Sequence, residues 1–366
     1  MAGKMRLFAG NSHLAFARKL AQELGVPLHE PDESDHKGPM IRWFSNQNCQ
    51  VDIKTSVRGS HCFVVQTQAP GRVLLRKDAE GRDVFGDHLR VSDMLMETFL
   101  LCDALREADA ERVTVVMPYL PYIRSDKKDH ARNSIGAQLL MDLLAEAGAS
   151  RLLIMEPHFD QIHGFTKRGV LKVEALNMKP IFAMEILRRS GLEAIMVAPD
   201  IGEAKHLAPF ARNLGLGVAI INKDRPRDDE EVLAQQMIGN VLGRHTQVID
   251  DETMSCSTLL MAADFCQEEG ALSMDAAIAH PVLSVPKGIQ KVQAHPLIRE
   301  LLVTDTIPIA LENQIPKLRV VSVVTHFAEA MRRMASTDDE DNSIDAYKVS
   351  LYEQMTALLE SLRKAK

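Results

Sequence analysis

Polar side chains able to do chemistry gather just past five apolar, β-branched runs of this 366-residue chain. That is where an open α/β sheet presents groups to a ligand, beyond the carboxyl ends of its strands. After "RVTVVMPY" (112–119) come Tyr122, Arg124, Asp126, Lys127 and Lys128. An arginine forks onto a phosphate while a carboxylate orients it; the same run also reads as a solvated charged face. After "SRLLIMEP" (150–157), Glu156 and His158 flank a proline, a pairing that suits either a divalent metal with its waters or plain packing. His163, in the next apolar stretch, reads as structural. After "EAIMVAPD" (193–200), Asp200 ends a strand and Gly202 opens a helix, whose N-terminus is a natural anion site. After "GVAIINK" (217–223), Lys223, Arg225 and Arg227 form either a cationic arm over a polyphosphate or a self-neutralised surface loop. After "TQVIDD" (246–251), the adjacent Asp250 and Asp251 suit sugar hydroxyls or Mg²⁺, or else an exposed acidic turn.

The elements that must position these groups alternate. Further strand-like runs fall at 274–280 and 299–307, and helical spacing fills the intervals, most clearly "SIGAQLLMDLLAEAGA" (134–149). Alternation of this kind predicts an α/β fold of parallel sheets with helices on both faces. The order strand–loop–helix recurs, which predicts two similar domains, 5–175 and 176–335. An acidic break, "TDDEDN" (337–342), and a C-terminal helix complete 336–366. The polar segment 70–90 reads as an inserted loop or flap.

Composition narrows the classes. A net charge of −7 argues against a general nucleic-acid binder, which carries a basic balance or stripe. The five cysteines are odd in number and include no CxxC pair, which predicts a reducing, cytoplasmic setting without structural zinc. The first residues lack the apolar core of a signal peptide. No unbroken apolar run of about 18 residues occurs, so no membrane association is expected.

In order, these motifs resemble the ribose-phosphate diphosphokinases, or phosphoribosyl pyrophosphate (PRPP) synthetases. The resemblance runs from residue 5 to 334 and includes "LFAGN" (7–11), "SVRG" (56–59), "MPYLPYIRSD" (117–126), "HFDQIHGF" (158–165), "PDIG" (199–202), "NKDRPR" (222–227), "VIDD" (248–251) and "TDTIPI" (304–309). It implies two type I phosphoribosyltransferase-like domains, each a mainly parallel sheet flanked by helices. It also implies a Mg²⁺-dependent transfer of the β,γ-diphosphoryl group of ATP to the 1-hydroxyl of ribose 5-phosphate, giving PRPP and AMP. By that resemblance Lys223 and Arg225 are the catalytic pair. Phe44, Asn46, Asn48, Arg124 and Asp126 meet ATP. His158 and Asp200 attend the metal. Asp200, Asp250, Asp251, Ser255, Ser257 and Thr258 hold the ribose phosphate. The implied state is a homo-oligomer, dimer or hexamer.

Two departures stand out. The family's sugar-phosphate loop reads D-T-G-G-T, and here Met254, Ser255, Cys256, Ser257 and Thr258 occupy it. One carboxylate and both glycines are gone, so the backbone loses the freedom with which glycine approaches a phosphate at positive φ, although hydroxyl donors remain. Asn46 and Asn48 stand where the family carries acidic residues. The rebuilt loop raises two other expectations: a diphosphokinase for another 5′-substituted ribose such as ADP-ribose, or a non-catalytic subunit associated with a true synthetase.

Overall fold

The computed structural model describes residues 4–31, 39–67, 71–77, 83–128, 130–166, 169–190, 193–224, 234–336 and 343–364. The N-terminal half contains β1 (Lys4–Ala9), α1 (Leu14–Leu24), β2 (Leu28–His29), β3 (Pro39–Trp43), β4 (Cys49–Ile53) and β5 (Ser60–Val65). It continues with β6 (Gly71–Lys77), β7 (Asp83–Leu89), α2 (Val91–Glu107), β8 (Arg112–Val116), α3 (Gly136–Glu146), β9 (Arg151–Met155) and β10 (Lys172–Leu176). Then come α4 (Lys179–Ser190), β11 (Ile195–Ala198), α5 (Ile201–Leu214), β12 (Gly217–Asp224), β13 (Ala234–Ile238), β14 (His245–Thr253) and α6 (Ser257–Glu268). The chain closes with β15 (Ser273–Pro281), α7 (Pro286–Ala294), β16 (Ile298–Thr304), β17 (Leu318–Val321), α8 (Val324–Ala335) and α9 (Ile344–Lys364).

Two sheets organise these elements. One runs β10-β9-β8-β5-β1-β2, with every pair parallel. The other runs β13-β12-β11-β14-β15-β16-β17 and is parallel except for the β12–β13 edge. The central strands are buried along nearly their whole length; β5 and β11 show no half-exposed position. A parallel sheet covered on both faces demands such continuous apolar runs. Each sheet has its own core, around Val64, Val115 and Ile154 in the first and Val197, Val248 and Ile278 in the second.

The runs read from sequence as strands extend past the observed ones at their polar ends. Residues 117–119, 156–157 and 199–200 turn out of the sheet and begin the loops of interest. The segment 70–90 is not a plain loop: β6 and β7 pair as an antiparallel hairpin, a separate two-stranded sheet. The acidic break 337–342 lies outside the described residues, and α9 follows it as expected. Among the described residues no helix is long and apolar enough to cross a membrane.

The chain divides into two compact units. The first comprises 1–176, 305–308 and 322–347, the second 177–304, 309–321 and 348–366. The expected second domain, 176–335, differs from this grouping because α8 returns to the first unit. The physical reason is its apolar face. Val324, Phe327, Ala328, Met331 and Met334 recur at helical spacing and are buried, and Phe327 meets Phe16 of α1 edge-on, ring centroids 5.6 Å apart. Asp305 fixes the entry to α8: its carboxylate accepts the Val323 N–H at 2.8 Å and the Ser322 hydroxyl at 2.7 Å. The Asp305 carbonyl takes a bond from the ring of His13 at 2.9 Å. Burial lowers His13 to about 4, so the ring is neutral and its Nε2–H is the donor.

This packing makes a testable statement. Phe327→Ala removes a fully buried ring from the first unit and is expected to cost about 3–5 kcal/mol. Trp43, the chain's single tryptophan, reports that unit. The denaturant midpoint of its emission should fall in the variant; an unchanged midpoint would show that α8 adds nothing to the first unit.

Candidate active site

In the second unit the carboxyl ends of the neighbouring strands β11 and β14 carry the acidic groups. Asp200 follows β11 with extended backbone and caps α5, its carboxylate accepting the Glu203 N–H at 2.9 Å. The apolar strand β14 delivers Asp250 and Asp251 at half-buried positions. Asp250 accepts the Asp251 N–H at 3.0 Å and Asp251 accepts the Glu252 N–H at 2.8 Å. Burial, then the adjoining Asp251 carboxyl, then the charge of Glu203 push Asp250 up to about 8. Asp250 therefore holds a proton at neutral pH, and the cluster carries more negative charge than it can tolerate ionised. Carboxyl oxygens so placed suit a sugar diol or a hard cation. Among the described residues no three His, Cys, Asp or Glu side chains form a protein-made metal cage.

The loop between β14 and α6 solves the missing-glycine problem in an unexpected way. Cys256 adopts φ 57° and ψ 14°, the left-handed conformation that glycine tolerates best, and is the N-terminal cap residue of α6. Its side chain is fully buried in the core of the second unit, and burial pushes the thiol above its usual range. Side chains consume amides that a glycine loop would offer to a phosphate. The Cys256 N–H donates to the Thr253 hydroxyl at 3.0 Å, and the Ser257 N–H leans on the Ser255 hydroxyl at 3.4 Å. The hydroxyls of Ser255 and Ser257 are themselves paired at 3.0 Å. Thr258 follows in the first turn of α6 and is exposed, as is Met254. The close backbone approach has moved to α7. A Cβ on Gly288 would sit 2.0 Å from the Ser255 carbonyl oxygen, closer than any side chain permits. A cavity of about 620 Å³ runs between α6 and α7 and shares Ser255 and Ser257 with the loop.

Lys223 lies on β12, its backbone opposite Gln235 of β13. Arg225 and Arg227 lie outside the described residues.

The remaining expected residues belong to the first unit. Phe44, Asn46 and Asn48 form the turn joining β3 to β4. The Phe44 N–H donates to the Asn48 carbonyl at 2.9 Å, the Gln47 N–H to the Phe44 carbonyl at 2.8 Å, and Gln47 takes φ 65°. The Asn46 side-chain oxygen accepts the Asn48 N–H at 3.1 Å, which turns its amide donors outward. Asn46 thus forms the turn rather than presenting an acceptor, and the Phe44 ring above it is 41% exposed. Arg124 and Asp126 follow β8, and His158 follows the adjacent β9, so all three lie in loops at one edge of the sheet. Arg124 and His158 are exposed and Asp126 half-buried. Ser125 pins the first of these loops to α3, its hydroxyl accepting the Gly136 N–H at 3.1 Å. His163 bonds the Val173 carbonyl at 3.2 Å.

Sequence reasoning missed Thr253 and Gly288, which shape the loop without standing in it. The only signal for Gly288 is a glycine early in a helix that follows a strand, where alanine would serve better.

Comparison with known proteins bears on both units. Residues 5–148 match the family described as the N-terminal domain of ribose phosphate pyrophosphokinase, and 231–343 match the phosphoribosyl synthetase-associated domain. A putative ribose-phosphate pyrophosphokinase of Streptomyces coelicolor is 34% identical over 341 residues, covering 93% of this chain and 97% of that protein. A ribose-phosphate pyrophosphokinase of Clostridium acetobutylicum is 34% identical over 333 residues, covering 90% and 94%. The crystal structure of phosphoribosylpyrophosphate synthetase from Mycobacterium smegmatis aligns with a TM-score of 0.76 at 29% identity, covering 90% of this chain and 98% of that one.

Two measurements follow from this geometry. Gly288→Ala forces α7 and the loop apart and is expected to cost about 1–3 kcal/mol, read as a lowered thermal midpoint. Adding Cys256→Gly, which frees the loop backbone to retreat, should recover part of the loss; no loss in the single variant would refute the close approach. For Asp250 the folded pKa lies above the unfolded one. Its contribution to stability is therefore full below about 3.8 and lost as pH rises through about 8. The stability of Asp250→Asn relative to the natural protein should accordingly increase between those limits, as measured by denaturation across the range. A difference independent of pH would contradict the shift.

Proposed function

The chain belongs to the ribose-phosphate pyrophosphokinase family, and from that premise we propose that it moves the β,γ-diphosphoryl group of ATP onto the 1-hydroxyl of ribose 5-phosphate. The sugar oxygen bonds to the β-phosphorus, the bond from that phosphorus to the bridging oxygen of the α-phosphate breaks, AMP departs, and the hydroxyl proton is released. The observation that carries this reading is the carboxyl cluster at the ends of β11 and β14, held by the caps and backbone bonds described above.

In this reading Asp250 and Asp251 accept the 2′- and 3′-hydroxyls and orient the sugar, which lowers the barrier by positioning. Lys223 and Arg225 neutralise charge on the transferring group, the commonest device in phosphoryl transfer. Phe44, Asn46, Asn48, Arg124 and Asp126 hold the nucleotide. The donor set fits a hard cation. Burial first, and then the acidic neighbours whose charge a cation would offset, keep Asp250 protonated, and Mg²⁺ commonly takes one or two carboxylates with substrate phosphates and waters. Asp200, at the neighbouring strand end, would serve it directly or through water. When bound, Mg²⁺ supplies charge neutralisation on the polyphosphate.

The loop favours a second reading for the substrate. With two amides satisfied internally and a cavity beside Ser255 and Ser257, the 5′-phosphate grip is weaker than that of a glycine loop. A larger 5′-substituted ribose such as ADP-ribose suits this arrangement.

The deciding experiment measures AMP release from ATP with ribose 5-phosphate and a panel of 5′-substituted riboses. Lys223→Ala should lower turnover by roughly 10²–10³-fold, as losses of charge stabilisation do; near-normal turnover would exclude its role. Restoring the family loop with Met254→Asp, Ser255→Thr, Cys256→Gly and Ser257→Gly should raise kcat/KM for ribose 5-phosphate. If the natural loop already serves ribose 5-phosphate well and the change does nothing, the second reading fails. No AMP with any ribose would make the chain a non-catalytic associated subunit.

A further inference from the structure

Another buried carboxylate stands in the first unit, beside Trp43. Glu97, on the inner face of α2, is fully buried. Both of its oxygens are doubly occupied, and all four partners are N–H donors. One oxygen accepts the Asn11 side-chain amide at 2.7 Å and the Trp43 indole N–H at 2.8 Å. The other accepts the Asn11 backbone N–H at 3.1 Å and the Gln66 side-chain amide at 2.9 Å. Gln66 is oriented in turn, because its own oxygen takes the Ser12 N–H at 3.0 Å and the Ser12 hydroxyl at 2.7 Å. A Cβ on Gly10 would lie 2.5 Å from the Gln66 carboxamide, so the side chain has one place to sit.

The four donors come from three separate segments: the ends of β1 and β5, and the end of β3. Trp43 is the last residue of β3, and Phe44 opens the turn that carries Asn46 and Asn48. Cys49, paired with Trp43 across the hairpin, also lies beside Glu97: burial, and then the charge of Glu97, push its thiol up to about 12. A hairpin of two strands has little stability of its own. Ile41, Val51 and Ile53 pack the hairpin against the first core, and at the end of β3 that feeds the tip the polar anchor is the Trp43 indole N–H on the Glu97 carboxylate. Burying a carboxylate is unfavourable, more so than burying an amide or an apolar side chain of similar size. An acceptor of full negative charge makes stronger bonds to four donors than an amide, which offers one oxygen and two competing N–H groups.

We propose that Glu97 is a positioning residue for the nucleotide end of the site: through the indole of Trp43 it fixes the β3–β4 hairpin, and with it the Phe44–Asn48 turn, against the ends of β1 and β5. This rests on the reading that the turn meets ATP. Removing the charge leaves donors facing donors, loosens the turn and weakens the nucleotide, while the carboxyl cluster of the second unit and its sugar ligand are untouched.

The test uses the full chain and a non-hydrolysable ATP analogue, with binding followed by calorimetry and ribose 5-phosphate binding as the internal control. Three variants are compared: Phe44→Ala, Glu97→Gln and Trp43→Phe. Expected are a tenfold or greater rise in the analogue's Kd for Phe44→Ala and Glu97→Gln, a smaller rise for Trp43→Phe, and sugar-phosphate affinity within twofold of the natural protein throughout. In the double variant Trp43→Phe/Glu97→Gln the two losses should be less than additive, because they break one bond. If Phe44→Ala weakens the analogue and Glu97→Gln does not, the inference falls and the reading of the turn stands. If Phe44→Ala leaves binding unchanged, the turn does not meet the nucleotide and both fall. Should Glu97→Gln fail to fold, Trp43→Phe decides alone: it retains an aromatic ring and loses only the N–H, so unchanged analogue affinity overturns the proposal.

Discussion

The loop between β14 and α6 depends on a single backbone conformation. Cys256 takes a left-handed φ without being a glycine, and three features follow. The thiol must turn inward, where the core of the second unit takes it. The amide that would have pointed at a ligand is drawn to the Thr253 hydroxyl. The preceding carbonyl, at Ser255, is presented to α7, and only a residue without a side chain fits against it. A position that needs glycine has thus been exchanged for another, thirty-odd residues later, and the polar groups the loop exposes are hydroxyls rather than backbone amides.

Two carboxyl groups, Glu97, fully buried, and Asp250, half-buried, show opposite solutions to one problem. Both are pulled toward the neutral form by burial. Around Glu97 every neighbour in hydrogen-bond reach is a donor, so the ionised form is met on all sides and burial yields a rigid joint. Around Asp250 the neighbours are acids, so the group waits, protonated and half-satisfied, for something positive or hydroxyl-rich. The first arrangement stabilises a shape and the second leaves chemistry unfinished. Groups of the second kind are the ones that mark sites.

Much of this was legible in the chain. The strands β8, β9 and β11 are largely apolar runs, because a covered parallel sheet permits little else, and the polar residues just past them lie in loops at the carboxyl ends of the strands. Less was legible in the first hundred residues. There β5 carries Ser60 and His61 within its buried stretch, β1 opens on Lys4 and Arg6, and the β6–β7 segment reads as polar loop although its backbone pairs. Glu97 sits in an ordinary helical pattern, and nothing local distinguishes it from a solvated acid; its four donors come from distant segments. Gly288 is likewise explained only by a carbonyl more than thirty residues earlier. Periodicity reveals which elements form. It does not reveal that α8, an ordinary amphipathic helix, belongs with the first unit.

That last feature bears on how the chain is made. Phe16 and Phe327 are partners in one core, yet the ribosome produces them roughly 300 residues apart, a delay of about 15–60 s at typical elongation rates. Throughout that interval α1 lacks the part of its cover that α8 supplies. The first unit cannot finish folding as a vectorial product of the N-terminal half, and most of the second, 177–304 and 309–321, is made between α1 and its partner, with 348–366 following. The last strand-to-helix passage, at Asp305 and Ser322–Val323, is therefore the latch that completes that cover.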